Sequence, residues 1–410
     1  MNKLLTVFKQ TSFQLLAKLV TSLSTFLILS IIARTYGQES LGIFTLSIAY
    51  LGLFMMVSDF GLNGHLLKQI QNINAAFGRT KFKMQNEIFR KLLGTRIVWA
   101  IVLVVLSFVL LPFLSFSGRE FMILTMVGSL SIISFAIFTS SNLIFQKNLR
   151  YDLSALSTII GTVVYFLLVL AFSYQRSPLV FISFSSMAGW IIISFSSVLL
   201  VRKFVKGIVP IFDFKYTLDL FAKTWPIGTT LFLNMIYFRI DSFLLAFYRN
   251  LSEVGIYNLA YQFFQTALVL PIFIMNAYYP ILIKSYAGLK SAILILLGIS
   301  FLGIILTFII SPLLIGMLAG EGFEGSILSL RILSLGFPGF FISALLMWIL
   351  VAEGKYKLLL KFYTSTLILN LILNLIFIPQ YSYVAASWVT VISEYFVLLL
   401  QIIALRKIKL

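Results

Sequence analysis

The chain has 410 residues, of which 60% are hydrophobic and 11% are charged, with a mean hydropathy of +1.04 and a formal net charge of +18. Soluble domains are closer to half apolar and a quarter charged, and one soluble core of this size cannot bury so much apolar surface. The composition excludes a soluble enzyme, a disordered tail and a disulfide scaffold, and the absence of Cys excludes thiolate metal sites and nucleophilic thiols.

Several apolar runs are long enough to cross a bilayer, which takes about 20 residues of helix. We predict an all-α, multi-pass membrane protein with 12 transmembrane helices. The first six lie near residues 15–33, 41–62, 97–114, 121–145, 153–173 and 179–201. The second six lie near residues 225–247, 256–283, 291–317, 327–351, 362–378 and 384–405. The first is not a cleavable signal, because it lacks a small-residue cleavage site and a second span follows at once.

Lys and Arg residues are distributed unevenly between the two sets of loops. With the N-terminus inside, 24 of the 31 fall in inner segments, and only Arg34, Arg119, Arg176 and Arg249 fall in outer loops. This asymmetry predicts an inner or plasma membrane protein with both termini in the cytoplasm. The basic charge is thus explained by topology, and no nucleic-acid partner is predicted. Binding of anionic lipid by the basic loop 68–96 is a secondary prediction.

Two pairs of similar segments indicate an internal repeat. LGIFTLS (41–47) matches VGIYNLA (254–260), and VLSFVLLPFL (105–114) matches ILTFIISPLL (305–314). We predict two six-helix bundles, at 1–205 and 225–410, joined by a cytoplasmic linker at 206–224. Six spans per half is an even number, so the halves share one orientation. Such a parallel repeat predicts a site in a central cavity between the bundles.

Polar residues recur at helical spacing on four of the predicted spans, so that each set shares one helix face. Ser and Thr on such faces often serve only as hydrogen bonds between helices. The Asn, Gln and charged members favour a hydrated central cavity, in which Lys18, Gln262, Asn370 and Asn374 are candidate substrate contacts. The four faces are Gln14, Lys18, Thr21, Ser22 and Thr25; Asn258, Gln262, Gln265 and Thr266; Thr366, Asn370 and Asn374; and Ser387, Thr390, Glu394 and Gln401.

Arg239 and Asp241 lie within the seventh predicted span, where burying a charge costs roughly 2.5–3.5 kcal/mol. Two residues apart on a straight helix, they point about 200° apart and do not form a simple ion pair. Asn234 shares a face with Asp241, and Arg239 is expected to meet a partner on another helix. The two charges either form a packed salt bridge or contact the substrate.

Two further acids are candidates for ion coupling or gating. Asp59 ends the second span in SDFGLNG (58–64), where a plain helix-end carboxylate is the alternative. Glu394 lies near the middle of the last span and is a candidate proton carrier. His65 is the single His, and a metal site needs convergent ligands, so no metal is predicted. The sequence contains no catalytic triad, Walker loop or dinucleotide fingerprint, so neither an enzyme nor a cofactor is predicted.

At two places the sequence resembles a Wzx-type oligosaccharide flippase of the multidrug/oligosaccharidyl-lipid/polysaccharide (MOP) exporter superfamily. These are IIARTYGQESLGIFTLSIAY (31–50) followed by SDFGL (58–62), and RIDSFLLAFYRNLSEVGIYNLAYQ (239–262). The resemblance implies movement of undecaprenyl-diphosphate-linked repeat units across a bacterial inner membrane by alternating access. It also implies coupling to an ion gradient and a polysaccharide polymerase as a partner in the same pathway. By motif, Arg239, Asp241 and Asp59 match the family pattern.

Three alternatives stay open. A cation-coupled multidrug exporter of the same superfamily needs acidic pockets, which Asp59 and Glu394 would supply. A lipid II flippase usually has 14 spans, more than are predicted here. A membrane polysaccharide polymerase or ligase needs an outer-face catalytic pocket, against which the short outer loops argue.

Overall fold

The structure, a computed structural model, describes residues 2–76, 81–116, 118–271, 274–275 and 288–408. Side chains are described for residues 10, 12–70, 84–116, 118–271, 274–275 and 288–406. All regular structure in these residues is helical, which confirms the all-α prediction. The end of the predicted eighth span, 276–283, lies outside the described residues.

The described residues form a series of helices, and a 3-10 turn, Leu111–Phe113, follows the third. In order they are α1 (Asn2–Asp59), α2 (Leu62–Ala76), α3 (Lys81–Leu110), α4 (Arg119–Ser129), α5 (Ser131–Lys147), α6 (Tyr151–Tyr174), α7 (Val180–Val201), α8 (Phe214–Tyr237), α9 (Ile240–Tyr248), α10 (Leu251–Ala267), α11 (Leu289–Ala319), α12 (Glu324–Ser334), α13 (Phe337–Ala352) and α14 (Tyr356–Ile408).

Two of these helices break internally, α1 at Gly37 with φ 84° and α14 at Ser382 with φ 54°. A left-handed φ carries no side-chain penalty at glycine, so Gly37 lets the chain turn there. Both breaks fall where the sequence predicts the connection between two spans.

Within the described residues, seven helical stretches are long and apolar enough to cross a membrane, or nine if α8–α9 and α12–α13 each count as one span. The predicted number of 12 is therefore not confirmed. The reason is that α1 and α14 each run through two predicted spans, while α10 has only 17 residues. In α11 the most apolar stretch has a mean hydropathy of 3.0 and is only 11% buried, as expected of a surface in contact with lipid. The chain is a multi-pass membrane protein.

The chain forms two compact units. The first comprises Met1–Ile31 and Ser47–Ile236, and the second comprises Ile32–Leu46 and Tyr237–Leu410. Leucines and isoleucines of α2, α3, α5 and α8 pack in the first unit. In the second, the ring of Phe264 stacks on Phe337 at 5.7 Å. The predicted limits 1–205, 206–224 and 225–410 concern the sequence repeat and stay a prediction.

Candidate functional site

Asp241 lies in the first turn of α9 with only 3% of its surface exposed. Its Oδ2 accepts hydrogen bonds from the hydroxyls of Tyr257 and Thr390, each at 2.9 Å, and its Oδ1 accepts one from the amide of Asn374. All three donors are neutral, and no cation of the described residues pairs with this carboxylate. A buried charge without a counter-ion is costly, so uptake of a proton or a cation would relieve it.

The hydrogen bonds around Asp241 continue along the two parts of α14. Asn374 Nδ2 also donates to Asn370 Oδ1 at 2.9 Å, and Asn370 Nδ2 donates to Ser393 Oγ at 3.2 Å. The Oδ1 of Asn374 is buried and accepts no hydrogen bond from any described residue. Two of the four predicted polar faces, that of Asn370 and Asn374 and that of Thr390, therefore meet around Asp241. We call Asp241, Tyr257, Asn370, Asn374 and Thr390 the Asp241 cluster.

Glu394 is a second buried acid of the same unit, with 4% of its surface exposed. It stands one helical turn after Thr390 on α14. Its Oε1 accepts a hydrogen bond of 2.6 Å from the hydroxyl of Tyr237, the last residue of α8. Both acids are thus held by tyrosine hydroxyls, which sequence reasoning missed because Tyr counts as apolar within a span. For Tyr257 a signal existed, since it stands beside Asn258 of a predicted polar face.

Arg239 occupies the break between α8 and α9, where it is the N-terminal capping residue of α9. Its side chain is partly exposed and, within the part of the chain that the structure describes, its guanidinium has no ion pair and no hydrogen bond. The predicted partner on another helix is not found there. Other arginines are occupied: Arg34 donates to carbonyls at the end of α11, and Arg331 donates to Ser311 Oγ at 3.2 Å.

Three predicted substrate contacts form no side-chain hydrogen bond with the Asp241 cluster. Lys18 on α1 and Asn234 on α8 are exposed, and Gln262 on α10 is half-buried. None of these side chains hydrogen-bonds to a described residue. The prediction that Asn234 and Asp241 share a helix face is wrong, because α8 ends at Tyr237 and α9 begins at Ile240.

Asp59 at the end of α1 forms an ion pair with Arg96 of α3, with 2.9 Å between Oδ1 and Nη2. Arg96 is fully buried, and its Nε and Nη1 have no hydrogen-bond partner among the described residues. The sequence analysis assigned Arg96 to an inner loop, and in the structure it is a residue of α3, which begins at Lys81. A signal was available, since the end of one span and the start of the next lie at the same membrane face.

Residues 7–286 match the family described as Polysaccharide biosynthesis protein. The chain belongs to this polysaccharide biosynthesis family. No curated protein matches the sequence of this chain.

Solved structures show which fold this family member has. It is similar to the Lipid II flippase MurJ in an inward closed conformation, with a TM-score of 0.77 and 17% identity over 97% of this chain and 87% of that one. It is also similar to an inward-facing multidrug resistance MATE family transporter of the MOP superfamily, with a TM-score of 0.70 and 14% identity over 94% of each chain. For the MATE multidrug transporter DinF-BH the TM-score is 0.62 and the identity is 18%, over 98% of this chain and 95% of that one. The polysaccharide biosynthesis family member therefore has the fold of these transporters.

Proposed function

We propose that the protein is a flippase that moves undecaprenyl-diphosphate-linked oligosaccharide repeat units from the cytoplasmic to the outer leaflet of a bacterial inner membrane. Family membership and the fold shared with a lipid flippase support this proposal. The observation that carries it is the unpaired guanidinium of Arg239 at the break between α8 and α9. A diphosphate crossing a low-dielectric region needs a counter-charge, and guanidinium groups bind phosphate oxygens through two parallel hydrogen bonds.

The remaining polar residues suit a sugar headgroup. Lys18 offers a second cation, and the amides of Asn234 and Gln262 offer donors and acceptors for sugar hydroxyls. The polar head of such a substrate cannot cross hydrocarbon unaided, whereas its prenyl tail never needs to leave the lipid. We propose movement by alternating access, with both termini in the cytoplasm and the product passing to a polysaccharide polymerase.

We assign ion coupling to Asp241 and Glu394. Each is a buried carboxylate whose described partners are all neutral, so a proton or monovalent cation bound there changes the local charge by one. Asp59, the other predicted coupling acid, already has a counter-ion in Arg96. We therefore assign Asp59 a structural ion pair and no coupling role.

A cation-coupled multidrug exporter is the second candidate. The fold shared with MATE transporters and the two buried acids favour it. Such an exporter needs no cation for a diphosphate, so the role of Arg239 separates the two proposals.

The test is a translocation assay with purified protein in vesicles that contain an undecaprenyl-diphosphate-linked saccharide. An impermeant lectin outside measures how fast the saccharide reaches the outer leaflet. We expect Arg239→Gln to slow movement at least tenfold and Arg239→Lys to retain part of it. Arg119→Gln, which alters an exposed arginine at the start of α4, should match the unmodified protein. Equal rates for Arg239→Gln and unmodified protein of equal melting temperature contradict the proposal, and dye export without saccharide movement favours the exporter.

A further inference from the structure

We propose that the segment from Arg202 to Trp225, between α7 and the first turns of α8, is a membrane-surface site that binds anionic lipid headgroups. This segment packs against residues of the basic loop 68–96 considered above, but the proposal rests on the segment's own cations. It does not depend on which substrate the protein transports.

The segment carries an excess of unpaired positive charge. Arg202, Lys203, Lys206 and Lys215 are exposed and have no acidic partner in the described part of the chain. The two acids of the segment are already neutralised. Asp213 pairs with Lys91 at 3.1 Å, and Asp219 pairs with Lys223 at 2.6 Å. Four positive charges therefore remain for an external anion.

Large apolar side chains are exposed among these cations. Phe214 is 66% exposed, Leu218 55% and Trp225 59%. At positions i, i+4 and i+11 they share one face of α8. Val209 and Phe212 just before the helix are exposed as well. Cations mixed with exposed aromatic and aliphatic side chains are typical of a segment in the membrane interface, where the apolar groups enter the acyl boundary and the charges meet headgroups.

Helix lengths place this segment at a membrane face. α7 has 22 residues, close to the length of one span, so the chain leaves the bilayer near Arg202. α8 has 24 residues and α9 has 9, which together is about a dozen more than one span needs. The excess corresponds to the turns from Phe214 to Trp225.

The backbone of the segment is held against α3 at Val209 and Ile211. The N–H of Ile211 donates to the carbonyl of Arg90 at 3.0 Å, and Nε of Arg90 donates to the carbonyl of Val209 at 2.9 Å. A Cβ at Gly94 would lie 2.2 Å from the carbonyl oxygen of Ile211, so only glycine permits this close packing.

Charge complementarity selects the anionic leaflet as the occupant. Each Lys or Arg near an anionic surface strengthens binding about fivefold, and salt weakens the effect. If the occupant were instead a soluble protein, the segment would be surrounded by water whenever that protein was not bound.

The first test measures lipid selectivity of the full-length protein in vesicles, as the preference for spin-labelled phosphatidylglycerol over phosphatidylcholine. We expect the triple variant Arg202→Gln, Lys203→Gln and Lys206→Gln to reduce this preference at least about fivefold. The matched control changes the exposed lysines of another connection, Lys355→Gln, Lys357→Gln and Lys361→Gln, and should keep it. A preference unchanged in the first variant, or lost equally in both, overturns the proposal.

The second test needs no change of charge and so is independent of any folding defect in those variants. The chain has no Cys, so a nitroxide attached after Leu218→Cys reports one position only. We expect this label to be more accessible to lipid-soluble oxygen than to an aqueous nickel complex. A label after Gln175→Cys, at the exposed end of α6, should show the opposite preference. A Leu218 label that is fully accessible to the nickel complex overturns the proposal and favours an aqueous partner.

Discussion

Thr45 and Asn258 are hydrogen-bonded to each other, with Asn258 Nδ2 donating to Thr45 Oγ1 at 2.9 Å, and they occupy equivalent positions in the repeated segments LGIFTLS and VGIYNLA. The packing around them is reciprocal. A Cβ at Gly42 would lie 1.7 Å from the carbonyl oxygen of Leu251, and one at the equivalent Gly255 would lie 2.2 Å from that of Gln38. Gln38 and Leu251 are equivalent too. Reciprocal contacts of this kind are those of a two-fold symmetric interface, and the predicted repeat of the two halves stays a prediction.

This crossing predicts that neither glycine tolerates a methyl group. Gly42→Ala and Gly255→Ala each place Cβ against backbone, which cannot move aside as a side chain can. Overpacking of this kind typically costs about 1–3 kcal/mol. We expect both variants to lower the melting temperature of the protein in detergent.

The matched control is Gly298→Ala on α11, where a Cβ meets no atom within 4 Å. Because alanine favours a helix over glycine by about 1 kcal/mol, this variant should melt at or slightly above the temperature of the unmodified protein. Equal melting of all three variants would contradict the close crossing.

The pair of Asp59 and Arg96 predicts a large cost for removing one partner. Asp59→Asn leaves a fully buried guanidinium without a counter-ion, which costs about 3 kcal/mol in comparable pairs. The double variant Asp59→Asn with Arg96→Met removes the charge as well and should recover most of the loss. Chemical denaturation in detergent measures both. Asp219→Asn, which breaks the exposed pair with Lys223, should cost less than about 1 kcal/mol. A double variant as unstable as Asp59→Asn alone would refute this view of the pair.

The Asp241 cluster predicts how transport depends on the ion gradient. Asp241→Asn removes the charge and replaces one carboxylate oxygen with an NH2 group that faces hydrogen-bond donors. Saccharide movement should then no longer respond to an imposed proton or sodium gradient. Thr390→Ser keeps the hydroxyl that donates to Asp241 and should keep the response. The measurement is the initial rate of movement in vesicles with and without each gradient. If Asp241→Asn still responds, ion coupling lies elsewhere.

The contact between Lys91 and Asp213 predicts a pH dependence outside the spans. The backbone N–H of Tyr216 and the ammonium of Lys91 lower the pKa of Asp213 below its usual range. The contact therefore stabilises the segment above the ordinary carboxyl pKa of about 3.9 and is lost as the pH falls through the lower folded value. Hydrogen exchange of the Ile211 amide, corrected for its intrinsic rate, should be constant from pH 7 to pH 5. It should be faster in Asp213→Asn at both values, and unchanged exchange in that variant would contradict the contact.

The sequence predicted where the helices lie better than it predicted which side chains contact one another. The predicted spans 153–173 and 179–201 agree with α6 and α7 to within a few residues, because polar turn residues bound both apolar runs. Helical spacing also predicted that Asn370 and Asn374 share one helix face, and in the structure Asn374 donates a hydrogen bond to Asn370. Both kinds of prediction rest on local periodicity, which a single chain displays directly.

What the sequence did not reveal depends on contacts between distant residues. Asp59 and Arg96 are 37 positions apart, and Asp241 meets Thr390 across 149 positions. Spacing alone also failed at Asn234 and Asp241, because the helix between them ends at Tyr237. The roles proposed for Lys18, Arg239 and Glu394 stay predictions that only function can test.

The leaflet in which lipid-linked saccharides reside tests the central claim most directly. Cells that make the polysaccharide are depleted of the protein, and single lipid-linked repeat units on each face of the inner membrane are counted with an impermeant label. A flippase predicts that single units accumulate on the cytoplasmic face and disappear from the outer face. Single units still exposed outside, or an unchanged pool, would contradict the account.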